Sequence, residues 1–305
     1  MVDKAKKIWF DGEFVDWDEA NVHILTHTLH YGFGVFEGTR CYKLNKGGSA
    51  VWRLDDHVDR LFNSAKILGI DIPFEKKVIR DASIEGLKVN DLEAGYLRHI
   101  VFMGTGAMGL YADNPIHVGI PIWKWGAYLG DEGLQNGIRA KVSSFSRYQV
   151  NSAMTKAKAC GYYINSIMAK REAISLGFDE AIMLDPEGYV SEASGENLFL
   201  VSDGVIYTPP VGRSILAGIT RDTIMTIAKE RGYTLLEERF ARDILYTADE
   251  VFLTGTAAEV TPVREVDGRT IGDGKPGAIT LELQKAFFEI VRGDNDKYSH
   301  WLAKL

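Results

Sequence analysis

Apolar and polar residues alternate along Lys7-Ile8-Trp9-Phe10 and again along Glu13 to Trp17. Between them lies Asp11-Gly12, a dipeptide that readily adopts the positive φ angles of a tight turn, so the chain is predicted to open with a β-hairpin. Gly34 to Tyr42 and Ser49 to Trp52 bracket Lys46-Gly47-Gly48 and predict a second one. The period then changes, and Leu54 to Leu68 carries apolar residues at helical spacing. Tyr96 to Met103 and Ile116 to Trp123 return to the strand pattern. These elements predict an α+β domain over residues 1–122.

Ala127 to Gln135 is rich in turn-forming residues and has no period, which predicts an interdomain loop over 123–135. Further along, Asn165 to Leu176 reads as a helix stopped by Gly177. Ala181 to Leu184 and Tyr189 to Glu192 flank a Pro-Glu-Gly turn, and Asn197 to Val201 and Val205 to Thr208 flank Ser202-Asp203-Gly204. Ile219 to Lys229 is a predicted helix closed by Gly232, and Val251 to Thr256 a strand. Interleaved strands and helices of this kind predict an α/β domain over 136–305.

With 305 residues, 46% hydrophobic and 25% charged, the chain has the make-up of a soluble globular protein. The net charge of −7, with no basic block, argues against a nucleic-acid partner. No stretch approaches the roughly 18 apolar residues of a membrane span. The basic N-terminus runs into a strand pattern rather than a signal core. Cys41 and Cys160 cannot form a disulfide framework and read as buried thiols. A cytoplasmic location is expected.

Chemistry enters with two segments, Ala153 to Tyr163, which contains Lys156 and Lys158, and Tyr189 to Phe199, which contains Glu192 and Glu196. A lysine amine can condense with the aldehyde of pyridoxal 5′-phosphate, and a carboxylate against the pyridine nitrogen keeps the ring an electron acceptor. Periodicity chooses neither lysine, because in an extended segment residues two apart share a face; Glu192 and Glu196 are equally ambiguous.

At this point the chain resembles the branched-chain amino acid aminotransferases among the fold-type IV pyridoxal phosphate enzymes. The resemblance runs nearly end to end. It includes Ile8 to Gly12, His30-Tyr31-Gly32, Val35-Phe36-Glu37-Gly38, Tyr96-Leu97-Arg98, Trp125 to Tyr128, Gly218 to Asp222 and Asp249 to Pro262. It implies a two-domain, D-amino acid aminotransferase-like fold and amino-group exchange between branched-chain L-amino acids and 2-oxoglutarate. It selects Lys158 as the catalytic lysine and leaves Lys156 as a solvated or salt-bridged neighbour. Glu192 becomes the ring-nitrogen partner, Glu196 a brace for its own turn, and Tyr163 a donor to the cofactor's phenolic oxygen. Phosphate falls to Arg60, Leu216, Gly218, Ile219, Thr220 and Thr256, in keeping with the affinity of helix N-termini and arginine for anions.

The substrate pocket implied by the resemblance is apolar, with Tyr31, Phe36, Trp125 and Tyr128 as walls and Met108 and Leu110 reaching in from a second subunit of at least a homodimer. Tyr96 and Arg98 take the second carboxylate of glutamate, and Thr256, Ala257 and Ala258 hold the α-carboxylate. No metal is called for. Rival readings are a D-amino acid aminotransferase or an aminodeoxychorismate lyase on the same fold, and a non-catalytic cofactor-binding protein.

Two other patterns suggest different chemistry. Gly104 to Gly109 fits G-x-G-x-x-G after a strand, but Leu110 to Pro115 breaks the helix a dinucleotide would need. His23, His27 and His30 would share one face of a helix, as zinc ligands do, yet no carboxylate joins them, and structural roles are expected.

Overall fold

The computed structural model describes residues 2–126 and 128–305, so Met1 and Ala127, the latter within the expected interdomain loop, lie outside the described residues. The chain divides into two compact units. The first is built on residues 1–125 together with Ala157–Tyr162 and Glu289–Leu305, and the second on Gly126–Lys156 and Tyr163–Phe288. The sequence reading keeps 136–305 together, whereas two pieces of that stretch join the first unit through backbone pairing. Val35 forms a bridge with Ala159, and the C-terminal strand Leu302–Lys304 pairs with Ser49–Trp52.

In the first unit the elements are β1 (Lys7–Phe10), β2 (Glu13–Asp16), α1 (His27–Tyr31), β3 (Gly34–Lys43), β4 (Ser49–Trp52), α2 (Leu54–Leu68), α3 (Lys76–Val89), β5 (Gly95–Met103), β6 (Ile116–Ile120) and β7 (Ile122–Trp123). Among the described residues they form an eight-stranded sheet, with the C-terminal strand on one edge and β2 on the other. The predicted strand Ile116 to Trp123 is divided at Pro121, which has no N–H to donate to a ladder. Leu54, Val58, Leu61 and Ala65 form the apolar stripe of α2 and join Val35, Cys41, Leu97 and Val101 of the sheet in one buried cluster.

The second unit runs α4 (Gly130–Asn136), β8 (Ile138–Val142), α5 (Tyr163–Ser175), β9 (Glu180–Leu184), β10 (Val190–Ala193), β11 (Asn197–Ser202), β12 (Val205–Thr208), α6 (Ile219–Glu230), β13 (Leu235–Glu237), α7 (Arg242–Thr247), β14 (Glu250–Gly255), β15 (Glu259–Val266), β16 (Arg269–Thr270) and α8 (Ala278–Val291). Its described strands make a nine-stranded sheet in which β8 pairs in parallel with both β9 and β15. The last part of the expected loop, residues 130–135, is helical and belongs to α4. Asp131 and Glu132 favour the positive end of the α4 dipole, and Gly137, at φ 79°, ends it. The core of this sheet holds Ile138, Ala140, Ile182, Leu198, Leu200, Leu253 and Val263.

Candidate active site

The two-residue period of β3 and β5 sorts their side chains onto opposite faces of the first sheet. Val35, Cys41, Leu97 and Val101 pack into the cluster beneath α2 and α3. Phe36, Gly38, Tyr96 and Arg98 therefore share the other face. Here Gly38 pairs with Arg98, and a Cβ on Gly38 would lie 1.7 Å from Tyr96 Oη, so only glycine lets the phenol cross the strand. Tyr96 meets Trp125 edge to face, ring centroids 4.6 Å apart, and Arg40 Nη2 donates to the Trp125 carbonyl at 2.8 Å. The Arg98 guanidinium lies 4.8 Å from the Phe36 ring centre and 5.4 Å from that of Tyr96. Its Nη2 reaches Tyr96 Oη only at 3.4 Å, and its buried Nε has no hydrogen-bond partner among the described residues.

Lys158 belongs to this face. Its backbone N–H donates to Ser64 Oγ of α2 at 3.0 Å, and its carbonyl accepts from Phe36 N at 3.0 Å. Its Nζ stands 4.9 Å from the Phe36 ring centre. Lys156 lies in a turn rather than a strand and is tied elsewhere. Its Nζ donates to the carbonyls of Arg213 at 3.0 Å and Ile215 at 2.8 Å, which differs from the expected solvated or salt-bridged neighbour. Burial lowers its pKa.

In the second unit Glu192, on β10, is buried. Its Oε1 accepts from Arg147 Nη2 at 2.6 Å, and its Oε2 accepts from the Leu216 N–H at 3.0 Å and from Asn197 Nδ2 at 3.2 Å. Asn197 also donates to the Leu216 carbonyl at 2.9 Å, which places residue 216 beside the carboxylate.

Glu196 is not on the strand of Glu192. It follows a turn at Ser194-Gly195, where its Oε2 accepts from the Gly195 N–H at 3.1 Å, in keeping with the expected brace. Burial, reinforced by Glu180, pushes its carboxyl up to about 8. Such an acid stays protonated in the fold while the unfolded chain ionises, so its contribution to stability falls as pH rises from the ordinary carboxylate range towards 8. We expect the melting temperature of Glu196→Gln, relative to the parent, to increase between pH 5 and pH 8 in thermal scans. A constant difference would contradict this.

The N-terminus of α6 abuts Asn197, since a Cβ on Gly218 would fall 1.9 Å from Asn197 Oδ1. Among the described residues no side chain caps the start of this twelve-residue helix, and in its first turn Thr220 is buried with a hydroxyl that lacks a partner. An uncapped helix start beside an orphaned buried hydroxyl suits an anion with several acceptor oxygens. Thr256, Ala257 and Ala258 form the turn joining β14 to β15. The residues of this unit therefore fit a phosphorylated pyridine ring, with Glu192 for a ring N–H and the start of α6 for the phosphate.

Tyr31, Met108, Leu110 and Tyr128 are exposed. Gly104 to Gly109 form a loop without a following helix, stapled by Asn114 to residues 104 and 107. His23 precedes α1, so the three histidines do not share a helix. Its Nδ1 accepts from the Leu25 N–H, while His27 Nε2 bonds the Gly109 carbonyl and His30 Nε2 that of Ile24. His99, on the opposite face from Arg98, bonds Ser83 Oγ at 2.7 Å, and burial lowers its pKa to about 4. Sequence reasoning missed Arg147 and Asn197 as holders of Glu192, Ser64 as the anchor of Lys158, and the polar group around Arg60.

Residues 34–266 match the family described as amino-transferase class IV. The chain belongs to the class IV aminotransferases. This class IV aminotransferase is 54% identical over 302 residues to the branched-chain-amino-acid aminotransferase of Pseudomonas aeruginosa, covering 99% of this chain and 98% of that protein. Against the Escherichia coli branched-chain-amino-acid aminotransferase the identity is 46% over 301 residues, covering 98% and 97%. The crystal structure of the E. coli enzyme superposes with a TM-score of 0.96 at 45% identity, covering 99% of each chain. The branched-chain amino acid aminotransferase of T.th., solved with pyridoxamine 5′-phosphate, gives 0.95 at 47% identity, again covering 99% of each chain. The fold of this class IV aminotransferase is thus fold type IV, as the resemblance implied.

Proposed function

We infer that this class IV aminotransferase uses pyridoxal 5′-phosphate to exchange an amino group between leucine, isoleucine or valine and 2-oxoglutarate. The products are the branched 2-oxo acids and L-glutamate, formed in two half-reactions on one site. The observation that carries this reading is the shared face of β3 and β5. There the aromatic surface of Phe36, Tyr96 and Trp125 adjoins the Arg98 guanidinium, whose buried Nε lacks a partner among the described residues. An apolar side chain and a carboxylate-bearing one can both use such a wall. The end-to-end similarity to named branched-chain enzymes favours this reading over a D-amino acid aminotransferase, an aminodeoxychorismate lyase or a non-catalytic binder.

The bound cofactor supplies an aldehyde that condenses with amines and a ring that accepts the electron pair left at the substrate α-carbon. Lys158 Nζ takes the α-proton and returns it in the reverse direction. Glu192 accepts a hydrogen bond from the ring nitrogen, while Arg147 and Asn197 hold its carboxylate. Tyr163 donates to the phenolic oxygen. Arg60, Gly218, Ile219, Thr220 and Thr256 take the phosphate, with Leu216 alongside, and backbone groups at Ala257 and Ala258 take the α-carboxylate.

The partner subunit of a homodimer closes the substrate site. Its supports are the exposed apolar side chains Ile24, Leu25, Leu29, Met108, Leu110 and Tyr111. None of the described helices is long and apolar enough to cross a membrane. A cytoplasmic enzyme fits that observation and the buried Cys41.

The test is a panel of L- and D-amino acids added to the holoenzyme. L-leucine, L-isoleucine and L-valine should convert the aldehyde absorbance to that of the amine form, and 2-oxoglutarate should restore it. Borohydride reduction of the resting enzyme should leave the cofactor on the peptide containing Lys158. Response to D-alanine alone, or a label on Lys156, would overturn the reading.

A further inference from the structure

On the helix-facing side of β3, Glu37 is buried beneath α2 and bound by two of that helix's side chains. Arg60 donates from Nε to Oε1 at 2.6 Å and from Nη2 to Oε2 at 3.0 Å, a side-on pair. His57 Nδ1 lies 2.8 Å from the same Oε2. Burial pushes the Glu37 carboxyl up, but the Arg60 guanidinium and the His57 hydrogen bond outweigh it and hold it well below the usual carboxylate range. A carboxylate has no proton to give, so the imidazole donates through Nδ1. Burial favours the neutral ring, whose Nε2 has no partner among the described residues.

A buried pair of this kind adds little net stability, because desolvation offsets the attraction. What it does give is direction. Side-on pairing engages one edge of a planar guanidinium and so fixes the orientation of the opposite edge. The stripe of α2 that carries His57 and Arg60 continues to Ser64, whose Oγ holds the Lys158 backbone. One helix face thus sets both the arginine and the lysine.

We propose that Glu37 and His57 are positioning residues that aim Arg60 at the cofactor phosphate, an inference that rests on Arg60 being a phosphate ligand. The experiment titrates the apoenzyme with pyridoxal 5′-phosphate and with pyridoxal, which lacks the phosphate. Glu37→Gln should weaken binding of the phosphate form by about ten- to a hundred-fold, as loss of a charge-assisted hydrogen bond does, and leave pyridoxal binding unchanged. His57→Leu should act in the same direction, and His57→Asn, which can restore a donor near the Nδ1 position, should recover most of the loss. The histidine variants carry the test if Glu37→Gln does not fold. If Arg60→Ala loses phosphate-selective affinity while the Glu37 and His57 variants keep it, the proposal fails and the reading of Arg60 stands. If Arg60→Ala itself shows no selective loss, that reading fails and takes the proposal with it. Equal weakening of both ligands would assign Glu37 and His57 to the fold alone.

Discussion

Replacing Glu192 with glutamine should slow amino-group transfer by roughly a hundred- to a thousand-fold while the cofactor still binds. Loss of one preorganised electrostatic partner at a reacting centre has about that effect. The carboxylate is fixed from both sides, by Arg147 at 2.6 Å on one oxygen and by Leu216 N–H and Asn197 Nδ2 on the other. A carboxylate in that position favours the protonated ring nitrogen; a neutral amide does not. The glutamine NH2 would also have to face one of these donors, which costs about 1–3 kcal/mol locally. The substitution leaves the start of α6, proposed for the phosphate, untouched, so cofactor content should remain near that of the parent. Single-turnover rates with L-leucine, alongside cofactor content, measure both. Near-normal turnover in Glu192→Gln together with an inactive Glu196→Gln would show that the other carboxylate does this work.

Local signals predicted the parts of the fold that are local. The Asp11-Gly12 turn appears as the β1–β2 hairpin, with Asp11 at φ 48° and Gly12 at φ 101°, and the stripe from Leu54 to Leu68 matches α2 at both ends. Helix α3 escaped because its buried stripe is not purely apolar. Ser83 is buried where it bonds His99, and Gly86 is buried where a Cβ would meet Ile122 Cδ1 at 2.7 Å, which favours glycine over an apolar side chain. Both reasons lie in strands that follow α3 in the chain, so no periodicity could reveal them. The lysines show the same limit. Lys156 and Lys158 differ in what meets them, the carbonyls of residues 213 and 215 in one case and Ser64 and Phe36 in the other, and none of those neighbours is near in sequence. Glu37 lies within the motif Val35 to Gly38, yet its partners are 20 and 23 residues away, on a helix. Arg147 lies 45 residues from the carboxylate it holds.

Arg98 should separate the two substrate classes. Its guanidinium lies over Phe36 and Tyr96, and among the described residues Nη2 has the 3.4 Å approach to Tyr96 Oη while Nε has no partner. A planar cation held this way retains donors for a carboxylate, and a substrate carboxylate brought against the same aromatic wall without it would be left without a charged partner. Leucine asks only for apolar surface, which Phe36 and Trp125 keep when residue 98 is shortened. A charge-assisted hydrogen bond is worth about 1.5–3 kcal/mol, and every 1.4 kcal/mol is tenfold in affinity. Arg98→Ala should therefore raise the KM for glutamate and 2-oxoglutarate by roughly ten- to a hundred-fold, and change that for leucine and its 2-oxo acid by only a few-fold. His99 does not confound the comparison, because it points to Ser83 on the opposite face of β5 and stays neutral there. Half-reaction rates measured separately for each substrate give the split directly. Equal losses in both half-reactions would place Arg98 with the α-carboxylate or the sheet itself rather than with the second carboxylate of glutamate.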